Sequence, residues 1–274
     1  MLIRAIKLFG SLVVYLIDNI VKLTRNVFGK EQIGTCVVLY YHSITNEQRA
    51  LFGYQLDLIL KRVKPLKTSK LCDLELGTHH IAITFDDGFV SVVQNAIPEL
   101  EARNCPATIF VPPACLGGPP SWPDIYEREK ANEVVMDIQT LLKTRNNDLI
   151  TIGSHSQSHL NLLRIGEAEA REEIAGSKLR LEELLKRQIA ELSFPFGAFN
   201  ENHVQMAKEA GYERVFSVLP DLITNNVKGK FVFGRVRVDP DDWPLEFRLK
   251  VYGAYRWLPL AFELKRKMRK VIGG

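Results

Sequence analysis

Between Cys36 and Val236 the chain alternates about seven times between a short apolar, β-branched run and a longer stretch with helical spacing, and this rhythm constrains the fold more than any other feature. The runs Cys36–Tyr41, Ile81–Phe85, Ala107–Val111, Leu149–Ile152, Ile189–Phe194, Arg214–Val218 and Phe231–Val236 predict strands. Helices are predicted over Tyr54–Val63, Val90–Asn104, Asp124–Lys143, Glu167–Gln188 and Glu201–Ala210, the last closed by Gly211. Strands separated by helices pair in parallel, because a parallel neighbour needs a long crossover. The expectation is an α/β fold with a parallel sheet, either a barrel or open, and 274 residues suffice for one such domain. Composition does not argue otherwise: 46% hydrophobic and 25% charged residues are ordinary for a globular chain, and no internal repeat is visible.

The two ends differ from the body. Residues 1–30 carry five lysines and arginines against Asp18, and residues 256–274 carry six against Glu263, so the stretch between them is mildly acidic in a chain of net charge +4. Basic ends suit an anionic surface, membrane or nucleic acid. Near the start, Arg4, Lys7, Ser11, Asp18, Lys22 and Arg25 recur at steps that line one face of a helix, and apolar residues fill nearly everything else. The longest uncharged run, Leu8–Ile17, is too short to span a bilayer, and no Ala-x-Ala cleavage site follows it. A helix lying in the membrane interface is expected, with an uncleaved signal-anchor or a helix packed on the domain as alternatives. The basic run Lys265–Lys270 either adds attraction to anionic lipid or is a solvated end. Cys36, Cys72, Cys105 and Cys115 show no CxxC spacing and read as reduced structural thiols.

Two strands run into residues that do chemistry. Ile81–Phe85 stops at Asp86-Asp87-Gly88, where the glycine permits a sharp turn and adjacent carboxylates point to different sides. One acid can then hold a metal while the other handles a proton, unless the pair merely caps the next helix. Leu149–Ile152 leads into Gly153-Ser154-His155-Ser156-Gln157-Ser158-His159. Two imidazoles four residues apart can reach one divalent ion from a helical turn or a tight loop. Both motifs follow strands, so a parallel sheet brings them to the same C-terminal mouth. Two imidazoles and one carboxylate make a facial ligand set with open positions. The loop Pro112–Pro123 is long enough to form a rim over such a site, whereas His79, His80 and His203 read as surface residues.

Together, Thr84-Phe85-Asp86-Asp87-Gly88, Ser154–His159 and Phe194-Pro195-Phe196-Gly197 resemble the NodB-homology polysaccharide deacetylases, over about Val37 to Val238. The resemblance implies a distorted (β/α)7 barrel over residues 31–255, preceded by the amphipathic helix of residues 1–30 and followed by the basic tail 256–274. It implies metal-assisted hydrolysis of N-acetyl groups on amino sugars. Asp86 would be the general base, and Asp87, His155 and His159 the ligands of one divalent ion, zinc first, with cobalt, nickel or manganese as alternatives. The chain departs from the family pattern in three places. Leu192-Ser193-Phe194 stands where many members place an arginine, no late Leu-x-His occurs, and Asp239–Trp243 is an imperfect match. Poly-N-acetylglucosamine deacetylases carry their acid at the end of the first strand in a Tyr-His context, and Tyr41-His42-Ser43 resembles it, which would make His42 the general acid, the alternative being a core-edge histidine bonded to backbone. Tyr41, Pro195, Phe196, Gly197 and Trp243 are the candidate sugar contacts.

The expected partners are an N-acetylated glycan or lipid-linked amino sugar, and an anionic membrane surface met by residues 1–30 and 256–274, with no nucleic acid. The expected location is cytoplasmic and peripheral, at the inner face of the membrane, or outside it if the start is a signal-anchor. Two rivals remain: a deformylase or other amide hydrolase on a lipid-linked sugar, and an inert glycan-binding scaffold that keeps the fold.

Overall fold

The computed structural model describes residues 2–264, apart from 121, 123–132, 226 and 228. Helix α1 (Leu2–Val27) precedes β1 (Thr35–Tyr41), α2 (Arg49–Leu60), the short β2 (Lys64–Pro65) and β3 (His79–Phe85). Next come α3 (Ile97–Glu101), entered through a π-turn at Val92–Ala96, then β4 (Ala107–Val111), α4 (Ile138–Thr144) and β5 (Ile150–Ser154). Helix α5 (Glu167–Arg171) passes through a second π-turn into α6 (Ser177–Leu185), followed by β6 (Glu191–Ser193), α7 (Glu201–Glu209) and β7 (Arg214–Phe216). The last elements are β8 (Ile223–Thr224), β9 (Val232–Phe233), β10 (Val236–Arg237), α8 (Pro244–Val251) and a helical segment over 258–264.

The strands form one sheet in the order β10-β1-β3-β4-β5-β6-β7-β9. Every step along it is parallel, while β2 adds to β3 and β8 lies antiparallel to β1. Strands β9 and β10 are two halves of one interrupted strand, the first on β7 and the second on β1. The sheet thereby curls into a nearly closed barrel, the distorted (β/α)7 architecture expected. Along each strand the side chains alternate, as the pleat requires. Cys36, Val38, Ala82, Phe110, Phe216 and Phe233 fill the barrel, whereas Val37, Leu39, Tyr41, Ile83 and Phe85 face the helices.

Several expectations need correction. The predicted strand Phe231–Val236 is broken at Gly234-Arg235. A Cβ at Gly234 would meet the Leu219 carbonyl oxygen at 2.2 Å, so glycine is demanded by close approach of two backbones. Of the predicted helix Asp124–Lys143, the described residues 133–137 are not helical, and α4 begins at Ile138, where the Asp137 carboxylate accepts from the Thr140 amide at 2.7 Å. Residues 124–132 lie outside the described ones. His80 and His203 are buried and His79 half-buried, not surface residues. His79 opens β3, its ring bonded to Thr35 Oγ1 at 2.7 Å and the Val251 carbonyl at 3.0 Å, and the His203 ring accepts from the Asn200 amide in a capping box. All four cysteines are free thiols.

The N-terminal segment is helical as expected, and it packs on the domain. Leu8, Leu12, Val14 and Tyr15 join the core against α8 and the turn after it, with Trp257 donating to Ser11 Oγ at 3.0 Å. The basic run 265–270 lies outside the described residues.

Candidate active site

Because every neighbour on the barrel path is parallel, the ends of β1, β3, β5 and β6 open on one mouth. Asp86 continues the inward series Ala82 and Thr84, and it is 3% exposed. Asp87 takes φ of 70° and Gly88 of 66°, turning the chain so sharply that the two carboxylates diverge. At Gly88 a Cβ would also crowd Val111 Cγ2 at 3.1 Å. The histidines lie on a tight loop, not a helix, with Ser156 and His159 both at positive φ. That loop is anchored by the His155 amide on the Val111 carbonyl and by Glu173, which accepts from the Ser158 amide at 2.9 Å and from its hydroxyl.

Asp87, His155 and His159 are all buried, and their ligand atoms lie within 4.8 Å of one another. His155 Nε2 and His159 Nε2 approach Asp87 Oδ1 at 3.5 and 3.2 Å. His155 Nδ1 sits 2.8 Å from the Ser193 carbonyl, which only a donor can serve, so a neutral His155 turns a lone pair at Nε2 toward the carboxylate. Lone pairs and a carboxylate converging in a buried pocket, with no hydrogen-bond donor assigned to Asp87 Oδ1, suit a divalent cation between them. Burial alone would push the Asp87 carboxyl up, but the two imidazoles hold it well below the usual carboxylate range. Burial works against a charge on His155 as well, and the carboxylates of Asp86 and Asp87 outweigh it and raise its pKa.

Asp86 has a partner that sequence reasoning missed. Arg235, fully buried at the break between β9 and β10, donates from Nη1 and Nη2 to the two Asp86 oxygens at 2.7 and 2.8 Å. Its remaining donors go to Thr84 Oγ1, Ser193 Oγ and the Ser217 carbonyl, so every guanidinium hydrogen is placed. The rings of Tyr40, Phe110 and Phe216 surround it. Burial opposes ionisation of Asp86, and Arg235 together with His155 brings its pKa below the ordinary value. Arg235 thus meets Ser193, which lies in the segment Leu192–Phe194 where many members of the resembled family place an arginine. The signal was present in the sequence, since a charged residue after a glycine interrupts the apolar run 231–236.

The other candidates separate. His42 follows β1 at the mouth, edge-on to Tyr40 with ring centroids 5.6 Å apart. Phe196, at φ 58° between Pro195 and Gly197, packs edge-on against His159 at 4.7 Å. Trp122, unforeseen, stacks on that ring at 4.0 Å. Tyr41 is corrected: alternation points it outward, where its hydroxyl donates to Gln55 Oε1 at 2.9 Å within the outer core, and Tyr40 faces the barrel instead. Trp243 begins α8 and carries the Arg4 guanidinium 4.2 Å over its ring, which ties it to α1.

This geometry has counterparts among known proteins. The sequence model of the polysaccharide deacetylase family matches residues 74–215, about half of the chain. The chain belongs to that family. A Bacillus subtilis (strain 168) protein described as a polysaccharide deacetylase is 28% identical over 214 residues, covering 74% of this chain and 71% of the other. A Staphylococcus aureus poly-β-1,6-N-acetyl-D-glucosamine N-deacetylase is 23% identical over 151 residues, 55% of this deacetylase and 51% of that protein, so the chain spans about half of that relative's length. Among solved structures, IcaB from Ammonifex degensii superposes with a TM-score of 0.69 at 23% identity, over 80% of this chain and 98% of that one. The Streptococcus pyogenes deacetylase PplD, solved with acetate, gives 0.65 at 18% identity, over 80% and 99%. These last two likenesses establish the deacetylase fold.

Proposed function

We propose that this deacetylase hydrolyses N-acetyl groups from amino sugars of a polysaccharide or lipid-linked glycan made for the cell envelope or an exopolysaccharide. The observation that carries the reading is the convergence, at one mouth, of the Asp87–His155–His159 donor set and an ionised Asp86 clamped by Arg235. A divalent ion held by that set, zinc by the chemistry of two imidazoles and a carboxylate, polarises an amide carbonyl when bound.

The chain's own residues supply the rest. Asp86 accepts the proton of the attacking water, and Arg235 keeps its carboxylate aligned while it does so. His42, across the mouth, passes a proton to the departing amine as the carbon–nitrogen bond breaks, releasing acetate and the free amino sugar. Trp122 stacks on His159 and Phe196 packs edge-on against it, which gives the mouth an apolar wall against which an acetyl methyl group can pack. The basic ends support work at a lipid surface, on the inner face of the membrane.

Metal content and acetate release from N-acetylglucosamine oligomers test this, with Asp86→Asn and His155→Ala beside the wild type. Bound zinc with acetate release, lost in Asp86→Asn while metal stays, is expected. Metal without acetate from any such oligomer would shift the reading to a formylated or lipid-linked amide. No metal uptake with zinc or cobalt supplied would leave an inert scaffold.

A further inference from the structure

Helix α1 is amphipathic, but it is turned the opposite way from a helix resting on a soluble protein. Its polar stripe faces the barrel. Ser11 is fully buried on Trp257, Asp18 is held by both terminal nitrogens of Arg256 at 2.7 and 2.6 Å, and Arg4 pairs with Glu246 at 2.6 Å. Its apolar side faces out. Phe9, Val13, Leu16, Ile17, Ile20 and Leu23 are all exposed, Phe9 to 69% and Leu23 to 63%. At 100° per residue they fall within an arc of about 120°. The hydroxyl in that arc, on Thr24, is turned back onto the Val21 carbonyl at 2.8 Å. On the segment 258–264, Leu260, Phe262 and Leu264 are exposed as well, and the Phe262 ring lies 6.0 Å from the Lys7 ammonium. An apolar surface this long, with its polar side already used, is built for an apolar partner.

Charge identifies the partner. Lys7, Lys22, Arg25 and Lys30 lie along this segment, and Lys22, Arg25, Arg62 and Arg248 line a cavity of about 370 Å³ between α1 and the base of the barrel. The carboxylate in that lining, Asp18, is committed to Arg256. Lys22, toward the end of α1, and Lys30, just after it, are exposed and complement anionic headgroups. No described helix is long and apolar enough to cross a membrane, so α1 would lie along it.

The clamp then sets how the enzyme sits. Arg4 reaches Asp242, Trp243 and Glu246, which follow β10 on the side of the mouth. Farther along, Lys22 and Arg25 share their cavity with Thr35, Thr78 and His79, where β1 and β3 begin. Helix α1 therefore runs down the flank of the barrel from mouth to base. We infer that α1 is sandwiched between an anionic bilayer and the barrel, apolar face in the acyl chains and polar face on the protein. The barrel rests on its side with its mouth opening along the lipid surface, toward glycans held at that surface. The lipid face stands on α1 alone, and only the choice of glycan rests on the deacetylase reading.

Flotation of the full chain with vesicles of phosphatidylcholine and phosphatidylglycerol, and of phosphatidylcholine alone, tests this. The wild type should float with the mixed vesicles, and Phe9→Glu/Ile20→Glu should reduce the bound fraction at least tenfold. Leu179→Glu, an exposed leucine on α6, should float like the wild type. Acetate release from soluble oligomers should be equal in all three, showing that the variants are folded. A milder Phe9→Gln/Ile20→Gln pair covers the case in which the double glutamate fails to fold, and it should bind less than the wild type. Wild type that does not float, floats no better than the Phe9/Ile20 variants, or instead forms a dimer that those variants dissolve would overturn the inference. Flotation as expected with no acetate from any protein would uphold the lipid face and shift the substrate reading to a formylated or lipid-linked amide.

Discussion

The Asp86–Arg235 pair is the residue on which the site's organisation turns. A buried carboxylate and a buried guanidinium stabilise each other only while both are present, because either one alone is a desolvated charge. Arg235→Met should cost about 3–5 kcal/mol of stability, read as a lowered denaturation midpoint, and should also suppress acetate release. Arg235→Lys should rescue little of either, since a single ammonium cannot serve two carboxylate oxygens and three further acceptors. His79 provides a pH signature. Burial lowers its pKa beneath the ordinary 6.5, and the Val251 carbonyl only partly offsets this. The folded protein holds it neutral, so the unfolded chain binds the extra proton first as pH falls. Its contribution is fully present above 6.5 and is lost as pH drops through the folded value. His79→Gln should therefore flatten the dependence of the denaturation midpoint on pH below 6.5, while a slope equal to that of the wild type would assign the effect elsewhere.

Among elements, the interrupted strand matters most. Breaking β9 from β10 closes the barrel and places a charged side chain inside it, an arrangement a continuous strand could not produce without moving Val236 off β1. Gly234→Ala should push against the Leu219 carbonyl, shift Arg235, and cost about 1–3 kcal/mol together with a fall in kcat larger than any change in KM. The elements that read well from sequence were those whose patterns are local. Strand β4 was expected over Ala107–Val111 and occurs there, because five consecutive buried residues leave no choice of face. The expected helix Asp124–Lys143 does not run through 133–137, since its spacing matches a helix while Val135 is drawn into a bridge with Phe89. Tertiary pairing overrode propensity there.

For the whole molecule, a bound metal would be linked to the fold. Asp87, His155 and His159 converge, buried, from the loops after β3 and β5, so a bound ion would tie those loops together. Zinc at roughly a thousand times its dissociation constant should add about 4 kcal/mol to stability, read as a raised Tm, and a chelator should reverse it. His155→Ala should abolish most of that shift while keeping the barrel. Equal shifts in both proteins would place the ion outside this pocket.

The sequence by itself determined the alternating architecture, the Asp86-Asp87 and His155–His159 motifs and the helical start, because each is written in neighbouring residues with a fixed spacing. Only the tertiary structure decided three other matters. It brought Arg235 to Asp86 across a separation of 149 residues, which no local pattern records. It turned Tyr40 inward and Tyr41 outward, since an all-apolar strand buried on both faces carries no alternation to read. It also set the sidedness of α1: the periodicity shows that the helix has two faces, but only Glu246, Arg256 and Trp257, more than two hundred residues away, make the polar one face the protein.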